Sequence, residues 1–175
     1  YGAHNFDNPN SEILKHYQVD SYNYNMIMAR FEPENNFEMV LEGVSLADNK
    51  TPILVIGNHN TKYGSYIKDR FKTFKNIQFL GAVYNLDHLN NLRYFSNFYF
   101  HGHTVGGTNP SLLEAMASKA LIVAHKNDFN KGVLQDNAFY FSTAEDVKII
   151  LNTIKKNNNL QFVENNFNAI TKSYN

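Results

Sequence analysis

The 175-residue chain contains no cysteine. A disulfide framework, a cysteine-based zinc site and a thiol nucleophile are therefore excluded, and the absence fits a cytoplasmic location. Net charge is absent too: 16 Lys plus Arg balance 16 Asp plus Glu. A nucleic-acid surface shows a basic excess, so no nucleic-acid partner is expected. No run approaches the roughly 18 apolar residues of a membrane span. A signal-peptide pattern is missing, and Tyr1-Gly2-Ala3 reads as the middle of something longer. What is present is a 43% apolar content, enough for one ordinary globular domain, expected to span 1–175.

Strand-like and helix-like segments alternate. Tyr24 to Phe31, Pro52 to Ile56, Ile77 to Leu80, Asn97 to His101, Leu121 to Ala124 and Ala138 to Phe141 read as strands. Several are continuously apolar rather than alternating, as strands buried on both faces are. Between them, Asn36 to Ala47, Lys62 to Phe74, Leu86 to Phe95, Asn109 to Lys119, a turn near Asn130 to Leu134, and Ala144 to Lys155 carry helical spacing. Thr143 is the expected N-cap of the last of these. Residues 157–175 read as a polar linker and a helix. The alternation predicts an α/β fold: a Rossmann-like, doubly wound parallel sheet of about six strands. Functional residues should then follow the strand ends, where such sheets bind ligands.

One segment stands out: His101-Gly-His-Thr-Val-Gly-Gly-Thr-Asn-Pro-Ser-Leu-Leu-Glu114-Ala-Met-Ala. A strand ends, Gly106-Gly107 turns, and a helix starts with Asn109 as cap and Pro110 at its first position. Exposed amides at such a start attract phosphates. Glu114 lies one turn deeper on the same face, where a carboxylate can accept bonds from vicinal hydroxyls. The plainer reading is a glycine turn between strand and helix. It is neither a P-loop nor a dinucleotide fingerprint. A second segment, Ala29-Arg30-Phe31-Glu32-Pro33-Glu34-Asn35-Asn36, follows the first strand. Arginine occurs only at Arg30, Arg70 and Arg93. Arg30 could clamp phosphate oxygens or pair with Glu32 or Glu34. His101 and His103 form a His-x-His pair, permissible for zinc. With no adjacent carboxylate pair and no Asp-x-Asp, neither a metal nor another cofactor is expected.

In this order and separation, the two segments resemble the C-terminal domain of retaining GT-B glycosyltransferases of family 4, in a version similar to the rhamnosyltransferase-like branch. Gly57-Asn58-His59-Asn60 and Phe79-Leu80-Gly81-Ala82-Val83 also match in position. The resemblance implies one half of a GT-B fold that binds a nucleotide diphosphate sugar. It implies Arg30 on the diphosphate, Gly106, Gly107, Thr108 and Asn109 at the phosphates, and Glu114 on the ribose. Val83 would lie against the base, His103 would face the donor sugar or phosphate, and Asn58 would join the donor site. Arg30, His103 and Glu114 would carry the catalytic roles. An N-terminal domain of the same protein would hold the acceptor, lipid-linked at the membrane face, with dTDP-rhamnose or a similar hexose donor serving surface-polysaccharide synthesis.

Two departures mark this chain. The first carboxylate of the family's Glu-x7-Glu falls at Gly106, and its diphosphate-binding lysine falls at Asn35 or Asn36. Lys62 or Lys126 are the candidate replacements. Rival readings are a nucleotide-sugar epimerase on the same fold, which Leu-Glu-Ala-Met-Ala argues against, and a degenerate transferase half acting as an interaction module.

Overall fold

The computed structural model describes residues 3–105 and 109–173. Six strands build one parallel sheet: β1 (Asn25–Met28), β2 (Ile53–Ile56), β3 (Ile77–Gly81), β4 (Phe98–His101), β5 (Ile122–His125) and β6 (Phe139–Phe141). Their spatial order is β3-β2-β1-β4-β5-β6, every neighbour parallel. The doubly wound sheet expected from the alternation of segments is the one observed.

The apolar runs are continuous because both faces are covered. On one face, Met26, Leu54, Tyr99 and Ile122 point into a core closed by α3 (Leu86–Phe95), α4 (Pro110–Ala117), α5 (Asp128–Leu134) and α7 (Leu160–Ser173). On the other, Ile27, Val55, Phe100 and Val123 meet α1 (Phe37–Leu46), α2 (Lys62–Phe71) and α6 (Ala144–Thr153). Consecutive residues serve opposite cores, which is the period-2 geometry of a strand. Helix α6 starts at Thr143, whose side chain and that of Asp146 form a reciprocal capping box.

Most boundaries shift by one or two residues, and two move further. The sheet ends at Met28 rather than Phe31, since only Ala29 still donates backbone to β2 (to Ile56 O, 3.2 Å) before the chain turns away through a 3-10 turn at Pro33–Asn35. Helix α2 ends at Phe71, and Phe74 closes a turn onto the Phe71 carbonyl at 3.1 Å. One element has no signature in the apolar periodicity: the 3-10 helix Ser11–Tyr17, of which only Leu14 is buried. Partners far along the chain hold it. Asn91 Oδ1 accepts from Asn10 N at 2.7 Å, and Tyr17 Oη lies 2.7 Å from His88 Nδ1. After α6, the buried Lys156 fastens the crossing to α7. Its backbone N–H donates to Asn97 Oδ1 at 3.0 Å, and its ammonium donates to the Tyr94 carbonyl between the Tyr22 and Tyr94 rings. Burial pushes its pKa down to about 7. Among the described residues, no helix is long and apolar enough to cross a membrane.

Helices α1 and α6 pack closely because Gly43 has no side chain. A Cβ there would meet Val147 Cγ1 at 2.5 Å and the Ala144 carbonyl oxygen at 2.7 Å. Gly43→Ala is therefore expected to destabilise the fold by about 1–2 kcal/mol, overpacking outweighing the roughly 1 kcal/mol gained in helix propensity. Urea unfolding checks this: the midpoint falls while the slope stays constant.

Candidate donor site

A cavity of about 660 Å³ opens at the carboxyl ends of the central strands. It lies where strand order reverses around β1, the usual ligand crevice of an open α/β sheet. Arg30 follows β1, Asn58 follows β2, Val83 follows β3 and His103 follows β4; Asn109 and Glu114 come from the start of α4. All six expected site residues within the described part of the chain line this one cavity. Gly106, Gly107 and Thr108 lie outside the described residues. His125, Lys62 and Lys126 do not line it.

Local chemistry fixes each wall. Gly57 ends β2 with φ +153°, and a Cβ would collide with the Ala29 carbonyl and approach the Phe31 ring to 3.2 Å. Only glycine fits such an approach at that backbone angle. Asn58 Oδ1 accepts from the Asn60 N–H at 3.0 Å, an Asx turn that shapes the loop. Asn109 caps α4, its Oδ1 accepting from Ser111 N at 3.1 Å and from Ser111 Oγ at 2.7 Å. Its carbonyl oxygen is thus committed to the helix, and its ligand-facing chemistry is donor chemistry.

The lips of the cavity are tied together. Asn36, at φ +58°, donates its amide to the Gly102 carbonyl at 2.7 Å. Thr104 N–H and Oγ1 donate to the Glu34 carbonyl at 3.1 and 2.9 Å, and Asn35 Nδ2 donates to the Arg30 carbonyl at 2.8 Å. The positions where the resemblance expects a phosphate-binding lysine are thus structural. Asparagine tolerates the left-handed backbone at residue 36, and its short amide reaches Gly102. Asn127 and Asn130, at the start of α5, hold the other side by donating to the His103 carbonyl at 3.0 and 3.1 Å.

Arg30 is exposed at the cavity wall and enters none of the ion pairs among the described residues. The Glu32 or Glu34 salt bridge therefore does not form. His103 stacks on His101 with ring centroids 4.4 Å apart. Burial lowers the His103 pKa, and nearby Arg30 lowers it further. Burial, then His103, pushes His101 down to about 3, against a weaker opposing contribution from Asn130. At neutral pH both rings are uncharged, so Arg30 is the cation of this wall. The described residues contain no cluster of His, Asp and Glu able to hold a metal ion.

Glu114 is one-quarter exposed, and its Oε2 accepts from the buried Arg93 at 3.0 Å. Arg93 is absent from the site that the resemblance implies. Its signal was readable: it lies four residues after Leu89 on the apolar stripe of α3, where a charge is out of place.

No protein-family model matches the sequence, and no curated protein matches it. Solved structures match in fold. Anabaena HepE in complex with UDP-glucose gives a TM-score of 0.81 at 14% identity, covering 94% of this chain and 48% of its own. A glycosyltransferase from Rickettsia africae gives 0.78 at 15%, covering 99% and 52%. The C-terminal domain of LpcC, a group 1 family glycosyl transferase from Francisella tularensis, gives 0.75 at 13%, covering 98% of this chain and 95% of that one. The fold is therefore the Rossmann-like half-domain of GT-B glycosyltransferases. The chain spans about half the length of HepE and of the Rickettsia enzyme.

The neutral histidine stack makes acid sensitivity predictable. The folded pKa of His101 lies below its unfolded value, so its contribution to stability is complete above about pH 6.5 and lost as pH falls toward 3. His101→Phe keeps a flat ring and removes the proton. Urea unfolding should show wild type losing up to about 1.4 kcal/mol per pH unit more than the variant between pH 6 and 4. Parallel pH profiles would refute a buried neutral His101.

Proposed function

We propose that this chain is the donor-binding half of a glycosyltransferase, taking a nucleotide diphosphate sugar for transfer to an acceptor hydroxyl. The observation that carries the reading is convergence: Arg30, the Asn109-capped start of α4, and Glu114 line one cavity at the strand-order reversal. Phosphates fit the helix start and the arginine. The ribose fits Glu114 one turn deeper, and the base fits the Val83 wall. In transfer, the bond from the anomeric carbon to the diphosphate oxygen breaks, a bond to the acceptor oxygen forms, and the acceptor's hydroxyl proton is released to the departing diphosphate or to water. Arg30 and the amides of α4 stabilise the charge that develops on the departing diphosphate, which is electrostatic preorganisation. His103, neutral, serves as a hydrogen-bond partner for the sugar or phosphate rather than as a cation.

Retention at the anomeric carbon, metal independence and a dTDP-rhamnose-like hexose donor follow from the sequence resemblance. So do an acceptor held by an N-terminal domain, and a setting in surface-polysaccharide synthesis at the cytoplasmic membrane face. The UDP and UDP-glucose complexes of HepE place UDP beside dTDP among the nucleotides to test.

Isothermal titration calorimetry of this chain with UDP, GDP and dTDP should show saturable binding of at least one. Arg30→Ala should weaken that diphosphate by about tenfold or more, as loss of a charge-assisted contact does, while leaving the free nucleoside unaffected. Heat-silent titrations with all three nucleotides would remove the reading.

A further inference from the structure

Among the described residues, Arg93 is the largest fully buried side chain. Taking a guanidinium out of water is costly unless it is paired, and an apolar residue of similar volume generally fills such a place at lower cost. Its surroundings do not satisfy it completely. Nη1 donates to Asn90 Oδ1 at 3.0 Å, and Nη2 donates to Glu114 Oε2 at 3.0 Å and approaches Met28 Sδ at 3.7 Å. The group lies 5.9 Å from the Tyr99 ring centre, and Nε has no acceptor among the described residues. Its one carboxylate partner lines the cavity.

The arrangement is directional. Arg93 comes from α3 and Glu114 from α4, and Met28 ends β1, so the pair joins two helices at the cavity floor beside the central strand. A guanidinium bonded to a carboxylate oxygen fixes the direction of that side chain. Asn90 Oδ1 also accepts from Ser118 Oγ of the α4 C-cap at 3.2 Å, bracing the guanidinium from its far side. Resting on the donor-site reading above, we propose that Arg93 is a positioning residue that aims the Glu114 carboxylate at the ribose hydroxyls of the bound nucleotide. It touches no ligand itself, and its effect is confined to the sugar part of nucleotide recognition.

The test is a ratio of affinities. Whichever of UDP, GDP and dTDP the chain binds is titrated beside its 2′,3′-dideoxy counterpart, which removes both ribose hydroxyls of UDP or GDP and the single 3′ hydroxyl of dTDP. Wild type is expected to prefer the hydroxylated nucleotide by about tenfold or more. Arg93→Met should bring the ratio close to one by weakening the hydroxylated ligand alone, and Arg93→Lys, which keeps the cation, should restore part of it. A purely structural arginine would weaken both ligands together or lower the melting temperature with the ratio intact. A folded Arg93→Met that keeps the wild-type ratio overturns the proposal. Where Arg93→Met does not fold, Asn90→Ala decides: a reduced ratio supports the proposal, and an unchanged one overturns it. Wild type that binds a nucleotide without preferring the hydroxylated form overturns the ribose role of the pair while leaving the donor site standing. Wild type that binds none of the three overturns the donor-site reading itself.

Discussion

The site depends on one topological constraint, the reversal of strand order at β1. The chain lays β2 and β3 on one side of β1, then crosses to place β4, β5 and β6 on the other. The helices that follow β1 and β4 therefore lie on opposite faces of the sheet, and a crevice opens beside the segments that lead to them. Residues distant in sequence reach it only because they follow strands. Arg30 and Glu114 lie 84 residues apart in the sequence, yet both line the same cavity.

A crevice opened by topology must also be held to shape. Here the lips are fixed by amide side chains rather than by charges. Asn35 and Asn36 bind the segment after β1 to itself and to Gly102, while Asn127 and Asn130 bind the β4–α4 loop to the start of α5. Short amides donate without introducing a further charge that would need a partner. The histidine stack obeys the same economy, since burial keeps both rings neutral. The balance left for an anion is one exposed arginine and a helix start. On the donor-site reading proposed above, a phosphate there is met by direction as much as by charge, in keeping with a chain of no net charge.

The buried arginine adds a second kind of order. Arg93 and Glu114 bring opposite charges from α3 and α4 to the floor of the cavity, where solvent screens them little. A pair in that position is a poor source of stability and a good source of orientation. It joins the packing of two helices to the geometry of the cavity wall.

Much of the fold was readable in the residues. Strands buried on both faces must be apolar throughout, so Pro52 to Ile56 and Leu121 to Ala124 announced a parallel sheet without any tertiary information. The bounds of α3 and the capping role of Thr143 followed from spacing and from hydrogen-bonding chemistry that acts within one turn. The 3-10 helix Ser11–Tyr17 was not readable, because its hydrogen bonds to Asn91 and His88 come from far along the chain. The same holds at the site. The sequence by itself determined the alternation of strands and helices, the capped start of α4, and the set of polar residues that follow strand ends, since each rests on interactions between near neighbours. Only the tertiary structure decided that Asn35 and Asn36 brace the loop where a lysine was expected, that Arg30 does not pair with Glu32 or Glu34, and that Arg93 lies behind Glu114. Each of these depends on which groups meet across the crevice, and the strand order sets that.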